Sequence, residues 1–207
     1  MPSPQHPTPQ HPTPQIPPQP GHALHPTPSQ TVGPFYGYAL PFPGGPEPAP
    51  AGHPEALTLH GTVYDGAGEP IPDALLELWQ PAPDGSRTGA PGSLRRDPTS
   101  GGFAGRDGMT FTGFARVATD ADGRWAVRTL PPGGVPYLSL CVFARGLLHH
   151  LYTRIYLPGP ATGADPLLAA VAPERRPTLL ARETAPRAYR FDVRLQGPEE
   201  TVFLDFH

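Results

Sequence analysis

Apolar and polar residues alternate with a period of two along most of the chain after residue 56, which is the pattern of half-buried β-strands. The first alternating segment covers residues 57–66, and its apolar face is formed by Leu57, Leu59, Gly61 and Val63. The later segments with this pattern are 74–80, 124–130, 136–144, 150–157, 189–197 and 201–206. About seven short strands separated by turn residues predict an all-β protein, a sandwich or a barrel. A helical pattern occurs only in residues 165–171, and it is short.

Two segments do not follow this pattern. Residues 29–42 are rich in aromatic residues, Gly and Pro and carry no charge, so they predict an N-terminal arm that packs along the edge of the sandwich or reaches into a pocket. Residues 81–115 show no sustained period. Long irregular loops on a β-scaffold often carry function or partner contacts.

The N-terminus has a different composition from the rest. Residues 1–28 contain the repeat QHPTP at 5–9 and 10–14, four histidines and no charged side chain. Such a segment cannot bury enough apolar surface to offset the entropy of ordering, so it predicts a disordered tail with polyproline-II character. The chain is therefore divided into a Pro/His-rich tail (1–28), an arm (29–56) and a β-sandwich domain (57–207).

Composition excludes several classes of protein. The chain has 207 residues, a net charge of -3 and a single cysteine, which disfavours nucleic-acid binding and excludes an intrachain disulfide or a Cys-rich metal site. No apolar run approaches the roughly 20 residues that span a bilayer, and the N-terminus does not resemble a secretory signal. A cytoplasmic protein without membrane or nucleic-acid partners is expected.

Few residues suggest chemistry of their own. His149 and His150 are neighbours, so on a strand they face opposite ways and cannot share one metal ion. Cys141 lies in an apolar strand and is expected to be a buried hydrophobe. Arg145 follows a strand at an Arg-Gly turn, where its planar fork can hold a carboxylate, although a plain surface charge fits equally well. One face of the predicted strand 150–157 carries His150, Tyr152, Arg154 and Tyr156. This row indicates either an anion-binding or metal-binding site or a half-polar face of a sheet.

Several motifs together resemble the intradiol ring-cleavage dioxygenase family, in particular the alpha subunits of its two-subunit members. They are SQTVGPFYGYALP (29–41), GTVYDGAGEPIPDALLELWQ (61–80), TDADGRWAVRTLPPG (119–133), FARG (143–146), HLYTRIYLP (150–158) and YRFDVRLQGPEETVFLDF (189–206). The resemblance covers about residues 28–207 and implies a β-sandwich. It also implies Fe(III)-dependent cleavage of protocatechuate by O2 to 3-carboxy-cis,cis-muconate, a step of aromatic catabolism in the beta-ketoadipate pathway.

In the two-subunit members, the resemblance assigns the iron to two Tyr and two His of the beta subunit. The matching positions here are Arg87, Val135, Tyr137 and Ser139. This chain is therefore expected to bind no metal, to hold no catalytic residue of its own and to be inactive alone. Its cofactor would be the Fe(III) of the partner beta subunit.

The resemblance also implies a role for the arm. The alpha subunit contributes a Thr-x-Gly-Pro segment and one Arg to the active site across the subunit interface. The corresponding substrate-binding residues are Thr31, Gly33, Pro34, Phe35 and Arg145, with Tyr36 beside them. Two alternatives remain at this stage: a transthyretin-like or carbohydrate-type binding module without enzymatic activity, and a self-sufficient catechol-type intradiol dioxygenase.

Overall fold

The structure is a computed structural model, and it describes residues 27–90 and 93–206. The predicted tail lies outside the described residues except for its last two. The strands are β1 (Leu57–Tyr64), β2 (Leu75–Trp79), β3 (Leu94–Arg96), β4 (Phe103–Arg106), β5 (Phe114–Ala118), β6 (Arg124–Thr129), β7 (Tyr137–Phe143), β8 (Leu151–Tyr156), β9 (Arg182–Ala185), β10 (Ala188–Arg190) and β11 (Val193–Arg194). The α-helices are α1 (Tyr36–Ala39) and α2 (Pro166–Ala170), with short 3-10 turns at Thr162–Ala164 and Arg176–Leu179.

The first sheet is built around β1. This strand pairs antiparallel with β6 on one side and parallel with β10 and β11 on the other, and β9 extends the sheet from β10. Gly61 lies where the backbone of Phe191 crosses β1, and a side chain there would collide with the Phe191 carbonyl. Glycine is therefore required for this close approach.

The second sheet has the order β5-β2-β7-β8, and every pair in it is antiparallel. Its inner face carries apolar residues at alternate positions, as the sequence predicts, and it packs on the first sheet. The shared core includes Leu59, Val63, Trp125, Val127, Phe191, Leu76, Leu78, Leu138, Leu140, Val142 and Ile155. The all-β sandwich prediction is confirmed.

The outer face of the second sheet carries the other set of side chains. Leu75, Glu77 and Trp79 of β2 point to this face, beside Arg116 of β5 and Ser139 and Cys141 of β7. Below, "the outer face" means this side of the second sheet.

Three expectations about local structure are wrong. Residues 189–197 form two strands because the Asp192 side chain accepts the Thr62 N–H at 2.9 Å, which interrupts the ladder along β1. Residues 201–206 form no strand and make a single bridge, Leu204 to Tyr152. The irregular segment 81–115 contains the hairpin β3–β4 and the first residues of β5, since its short strands and its bulge after Arg95 hide any period.

The helical expectation for residues 165–171 is confirmed. Helix α2 begins after Asp165, whose carboxylate accepts the N–H groups of Leu167 and Leu168 at 3.0 and 3.1 Å. This is a side-chain N-cap, followed by Pro166 in the first turn, where a missing N–H costs nothing. Among the described residues, no helix has the length and apolarity needed to cross a bilayer.

Candidate functional site

Two regions of the outer face contain the residues that the resemblance matches to iron ligands and to the arginine of the site. They lie at opposite ends of β2, because Asp73 precedes this strand and Trp79 ends it. Six residues of extended chain correspond to about 20 Å. Below, "the Trp79 cavity" is the region at the end of β2, and "the Arg145 cluster" is the region at its beginning, formed by Arg145, Asp73 and Tyr36.

The Trp79 cavity has a volume of about 450 Å³ and is lined mainly by the loop 80–90. Its aromatic walls come from Trp79, Phe111 and Tyr137. Phe114 fixes Trp79 from behind, with ring centroids 4.3 Å apart. Arg154 lies over the Tyr137 ring, 3.9 Å from its centroid, which is a cation–π contact.

The structure brings together the four positions that the resemblance matches to iron ligands. Arg87, Val135, Tyr137 and Ser139 all line the Trp79 cavity. Its lining includes one phenol, one carboxylate (Asp84) and no imidazole. Such a donor set does not fit a ferric ion held by two phenolates and two imidazoles. Among the described residues, no group of three or more His, Cys, Asp and Glu side chains is placed to hold a metal.

Some charged side chains around the cavity have a hydrogen-bond or ion-pair partner, and one has none among the described residues. Asp84 accepts the N–H of Ser86 at 2.8 Å and so holds its own turn. Arg154 pairs with Asp165 at 3.4 Å. Arg87 is exposed on the cavity rim and, within the part of the chain that the structure describes, forms neither a hydrogen bond nor an ion pair.

Behind the cavity, Tyr156, Asp165 and Arg154 form a buried polar group. The Tyr156 hydroxyl donates to Asp165 at 2.8 Å. Burial raises the pKa of Tyr156 to about 12. Burial also opposes ionisation of Asp165, but the hydrogen bonds from Tyr156 and the α2 backbone outweigh it and lower the pKa of Asp165. The group is therefore a neutral phenol bonded to a carboxylate that the helix start stabilises.

The arm begins in a tight turn. The Gly33 N–H donates to the Thr31 hydroxyl at 3.4 Å, and Gly33 has φ +76°, a conformation that favours glycine. Pro34 and Phe35 follow and are exposed. The arm was expected to lack regular structure, but Tyr36–Ala39 forms one helical turn because the Phe35 carbonyl accepts the N–H groups of Tyr38 and Ala39.

Tyr36 connects the arm to Arg145. It is buried, and its hydroxyl donates to the Asp73 carbonyl. The Asp73 carboxylate forms an ion pair with the Arg145 guanidinium, whose side chain is 71% exposed. Burial, and next the Asp73 charge, raise the pKa of Tyr36. The structure thus places Thr31, Gly33, Pro34 and Phe35 on a segment whose buried anchor adjoins Arg145.

Arginines of the sandwich anchor the rest of the arm, among them Arg116, Arg106 and Arg128, which donates to the carbonyls of Ala49 and Pro50 at 2.8 and 3.0 Å. Arg116 donates to the Leu40 carbonyl at 2.9 Å and to Glu77 Oε1 at 2.8 and 2.5 Å. Arg106 donates to the carbonyls of Gly44 and Gly45 at 2.8 and 3.1 Å. Burial lowers the pKa of Arg106 to about 10, so it stays protonated at neutral pH.

Sequence reasoning did not identify Asp73, Glu77, Arg116 and Arg106 as parts of this site. Glu77 and Arg116 lie directly opposite on paired strands, so a cross-strand pattern would indicate their pairing once β5 is recognised. Asp73 carries no sequence signal, because its contact with Arg145 joins two loops.

Of the four residues predicted to form a row, Tyr152, Arg154 and Tyr156 lie at alternate positions of β8, whereas His150 precedes this strand. His150 and the Tyr152 hydroxyl are 2.7 Å apart, and Phe206 packs edge-on against Tyr152. His149 lies 2.9 Å from the Ser29 hydroxyl. The two histidines precede β8 and engage different neighbours.

A protein family described as dioxygenase matches residues 45–139. The protocatechuate 3,4-dioxygenase alpha chain of Burkholderia cepacia is 42% identical over 205 residues, covering 88% of this chain and 98% of that one. The chain belongs to the intradiol ring-cleavage dioxygenase family. The family prediction is confirmed, and enzymes of this family use Fe(III).

Two further proteins are similar to this chain. The protocatechuate 3,4-dioxygenase alpha chain of Pseudomonas putida is 36% identical, covering 87% of this chain and 96% of that one. The dioxygenase domain of a dioxygenase carbohydrate-binding protein fusion from Streptomyces sp. SirexAA-E is 27% identical, with a TM-score of 0.53. The match covers 84% of this chain and 99% of that domain.

Proposed function

We propose that this chain is the alpha subunit of a protocatechuate 3,4-dioxygenase, which cleaves protocatechuate with O2 to 3-carboxy-cis,cis-muconate. The observation that carries the proposal is the 42% identity that extends over 98% of a named alpha chain. The name alpha chain implies a second kind of chain, and the partner we propose is a beta subunit. A generic binding module would not need the arm and the Arg145 turn, to which the resemblance assigns a role in two-subunit enzymes.

We assign the Fe(III) to the beta subunit. When bound there, the iron would supply Lewis-acid chemistry to the substrate. The donor set of the Trp79 cavity does not fit it, so this chain is proposed to act on the substrate's position. The same mismatch argues against a self-sufficient catechol-type enzyme.

Arg145 is proposed to hold the substrate's carboxylate across the interface. Its side chain is largely exposed, and its planar fork suits a carboxylate. Asp73 engages it within this chain, which fixes where the guanidinium lies and restricts its rotamers. An ordered fork loses less entropy when it binds a second carboxylate.

The turn at Thr31–Pro34 is proposed to form part of the pocket wall. Among residues 27–90 and 93–206, no atom beyond the neighbours of Gly33 in the chain lies within 4 Å of the position that a Cβ would take there, so the glycine borders open space. Its φ of +76° and its lack of a side chain let backbone approach a flat ring closely. Phe35 is 74% exposed and would supply an apolar contact.

We propose that the three parts of the chain, divided at residues 28 and 56, have different roles. Residues 29–56 contain the arm, whose contacts with Asp73, Arg116 and Arg106 tie it to the sandwich of residues 57–207. We place the enzyme in the cytoplasm, where aromatic acids taken up by the cell would meet it.

Oxygen uptake with protocatechuate tests the proposal. The full chain is purified alone and after co-expression with the beta chain of its own organism, and iron is assayed in both samples. Activity and iron in the co-expressed sample only are expected. Activity in the chain alone, or no complex with the beta chain, would contradict the proposal.

A further inference from the structure

The Trp79 cavity has the features of a small-molecule site. Its volume of about 450 Å³ falls within the range of about 300–1,000 Å³ common for ligand pockets. Such pockets combine apolar walls with a few polar groups that fix the ligand's orientation. The cavity lies entirely within this chain, and no part of the proposed function uses it.

The walls suit a flat ring. Trp79, Phe111 and Tyr137 line the cavity, and the Trp79 side chain is 54% exposed although it is large and apolar. Phe114 on one side of Trp79 and Arg154 on the face of Tyr137 hold two of these rings from outside. Aromatic rings held in this way stack with another ring at little cost in entropy.

The polar groups suit an anion. Arg87 lines the rim, and it has no hydrogen bond or ion pair among residues 27–90 and 93–206. The hydroxyls of Ser86 and Thr88 lie 3.0 Å apart and bond to each other, and the Ser139 hydroxyl lines the same space. The one carboxylate of the lining, Asp84, accepts a backbone N–H of its own turn. A carboxylate beside Arg87 would therefore gain a charge-assisted hydrogen bond.

We propose that the Trp79 cavity binds a single-ring aromatic carboxylate, with its ring between the aromatic walls and its carboxylate on Arg87. This site is independent of any metal, because it uses only walls and donors of this chain. Its ligand would stabilise the loop 80–90, which forms most of the lining.

Tryptophan fluorescence provides a direct test, because the chain has two tryptophans. Trp79 lines the cavity and Trp125 is buried in the core, 3% exposed. The full chain is titrated with benzoate and with the neutral isostere benzamide. Saturable quenching by benzoate is expected, and Trp79→Phe is expected to abolish it while the remaining Trp125 emission shows that the fold is intact.

Arg87→Gln separates charge from stacking. It is expected to weaken benzoate binding about tenfold, since a charged hydrogen bond is lost, and to leave benzamide binding within about twofold. Arg187→Gln is the matched control, because Arg187 is exposed and lines no described cavity; it should change neither. Non-saturable quenching, or equal loss in the two arginine variants, would overturn the proposal.

The same titration is repeated on the complex with the beta chain, using the difference between the parent and Trp79→Phe complexes. Retained benzoate binding is expected, and its loss on assembly would overturn the proposal. Oxygen uptake is not the measurement, so failure of the dioxygenase assay and failure of this binding site are distinguishable.

Discussion

The two ends of the outer face differ in how their charged groups are engaged. In the Arg145 cluster and the arm beside it, each named arginine has a partner within the chain: Asp73 for Arg145, Glu77 for Arg116, and backbone carbonyls for Arg106. At the Trp79 cavity, Arg87 has none among the described residues, and an aromatic side chain is left exposed.

This difference separates groups that hold the fold from groups that await a ligand. A half-buried arginine whose donors are satisfied fixes a loop, because breaking its bonds leaves polar groups unpaired. An exposed, unpaired arginine beside aromatic rings contributes little to folding and is available to an anion. Arg145 has features of both kinds of arginine, since it is paired with Asp73 and is also largely exposed.

The largest expected effect is a loss of stability at the end of the outer face where the arginines are paired. Arg116→Met removes the ion pair with Glu77 and the bond to the Leu40 carbonyl, leaving a partly buried carboxylate without its partner. The free energy of unfolding should fall by about 3 kcal/mol. Urea denaturation measures it, and the double variant Arg116→Met/Glu77→Gln should recover part of the loss. An unchanged midpoint in Arg116→Met would show that the pair does not hold the arm.

The second effect concerns function rather than stability. In the complex with the beta chain, Arg145→Gln should raise the KM for protocatechuate about tenfold, because a charge-assisted hydrogen bond to the carboxylate is lost. Iron content should not change. Arg145→Lys, which keeps the charge without the planar fork, should recover only part of the affinity. A KM equal to that of the parent complex would remove Arg145 from the site.

Cys141 lies on the outer face between the two ends, and its side chain is buried. The titration of its thiol therefore tests whether this part of the face is covered. Burial, and next the charge of Glu77, raise the pKa of its thiol from 9.0 to about 12. The unfolded chain loses this proton first, so between pH 9 and about pH 12 stability should fall by about 1.4 kcal/mol per pH unit from this group. Urea denaturation at pH 8 and pH 10 should show a smaller decrease for Cys141→Val. Rapid reaction of the native thiol with Ellman's reagent at pH 8 would contradict the burial.

The smallest effect is expected at the N-terminus. Deleting residues 1–27 should leave assembly and oxygen uptake unchanged, because the sequence predicts a tail without a core. Deleting residues 1–42 should reduce stability, since it removes Tyr36, the Leu40 carbonyl and Phe42. Loss of assembly in the shorter deletion would assign the tail to an interface.

Strands with strict alternation were predictable, and contacts between loops were not. The apolar face of β1 and the inner faces of β2 and β7 agree with the pattern in the sequence, because burial on one face imposes the period. The β3–β4 hairpin and the split at Asp192 were missed, since short strands and a side chain that replaces a ladder bond leave no period.

The sequence identified individual site residues better than their arrangement. Arg87, Val135, Tyr137 and Ser139 come from separate segments, and only the fold shows that they share one cavity. Similarly, Arg145 could be singled out at its turn, but its pairing with Asp73 depends on two loops meeting in space.

The parallel pairing of β1 with β10 and β11 has a consequence for biosynthesis. Strand β1 ends at Tyr64, whereas its parallel partners begin at Ala188. A ribosome must therefore deliver the chain as far as β11 before the first sheet can close, and until then one edge of β1 is unpaired. Contacts so distant along the chain also slow folding. All four strands of the second sheet precede residue 157, so they have all been synthesised before the first sheet can close.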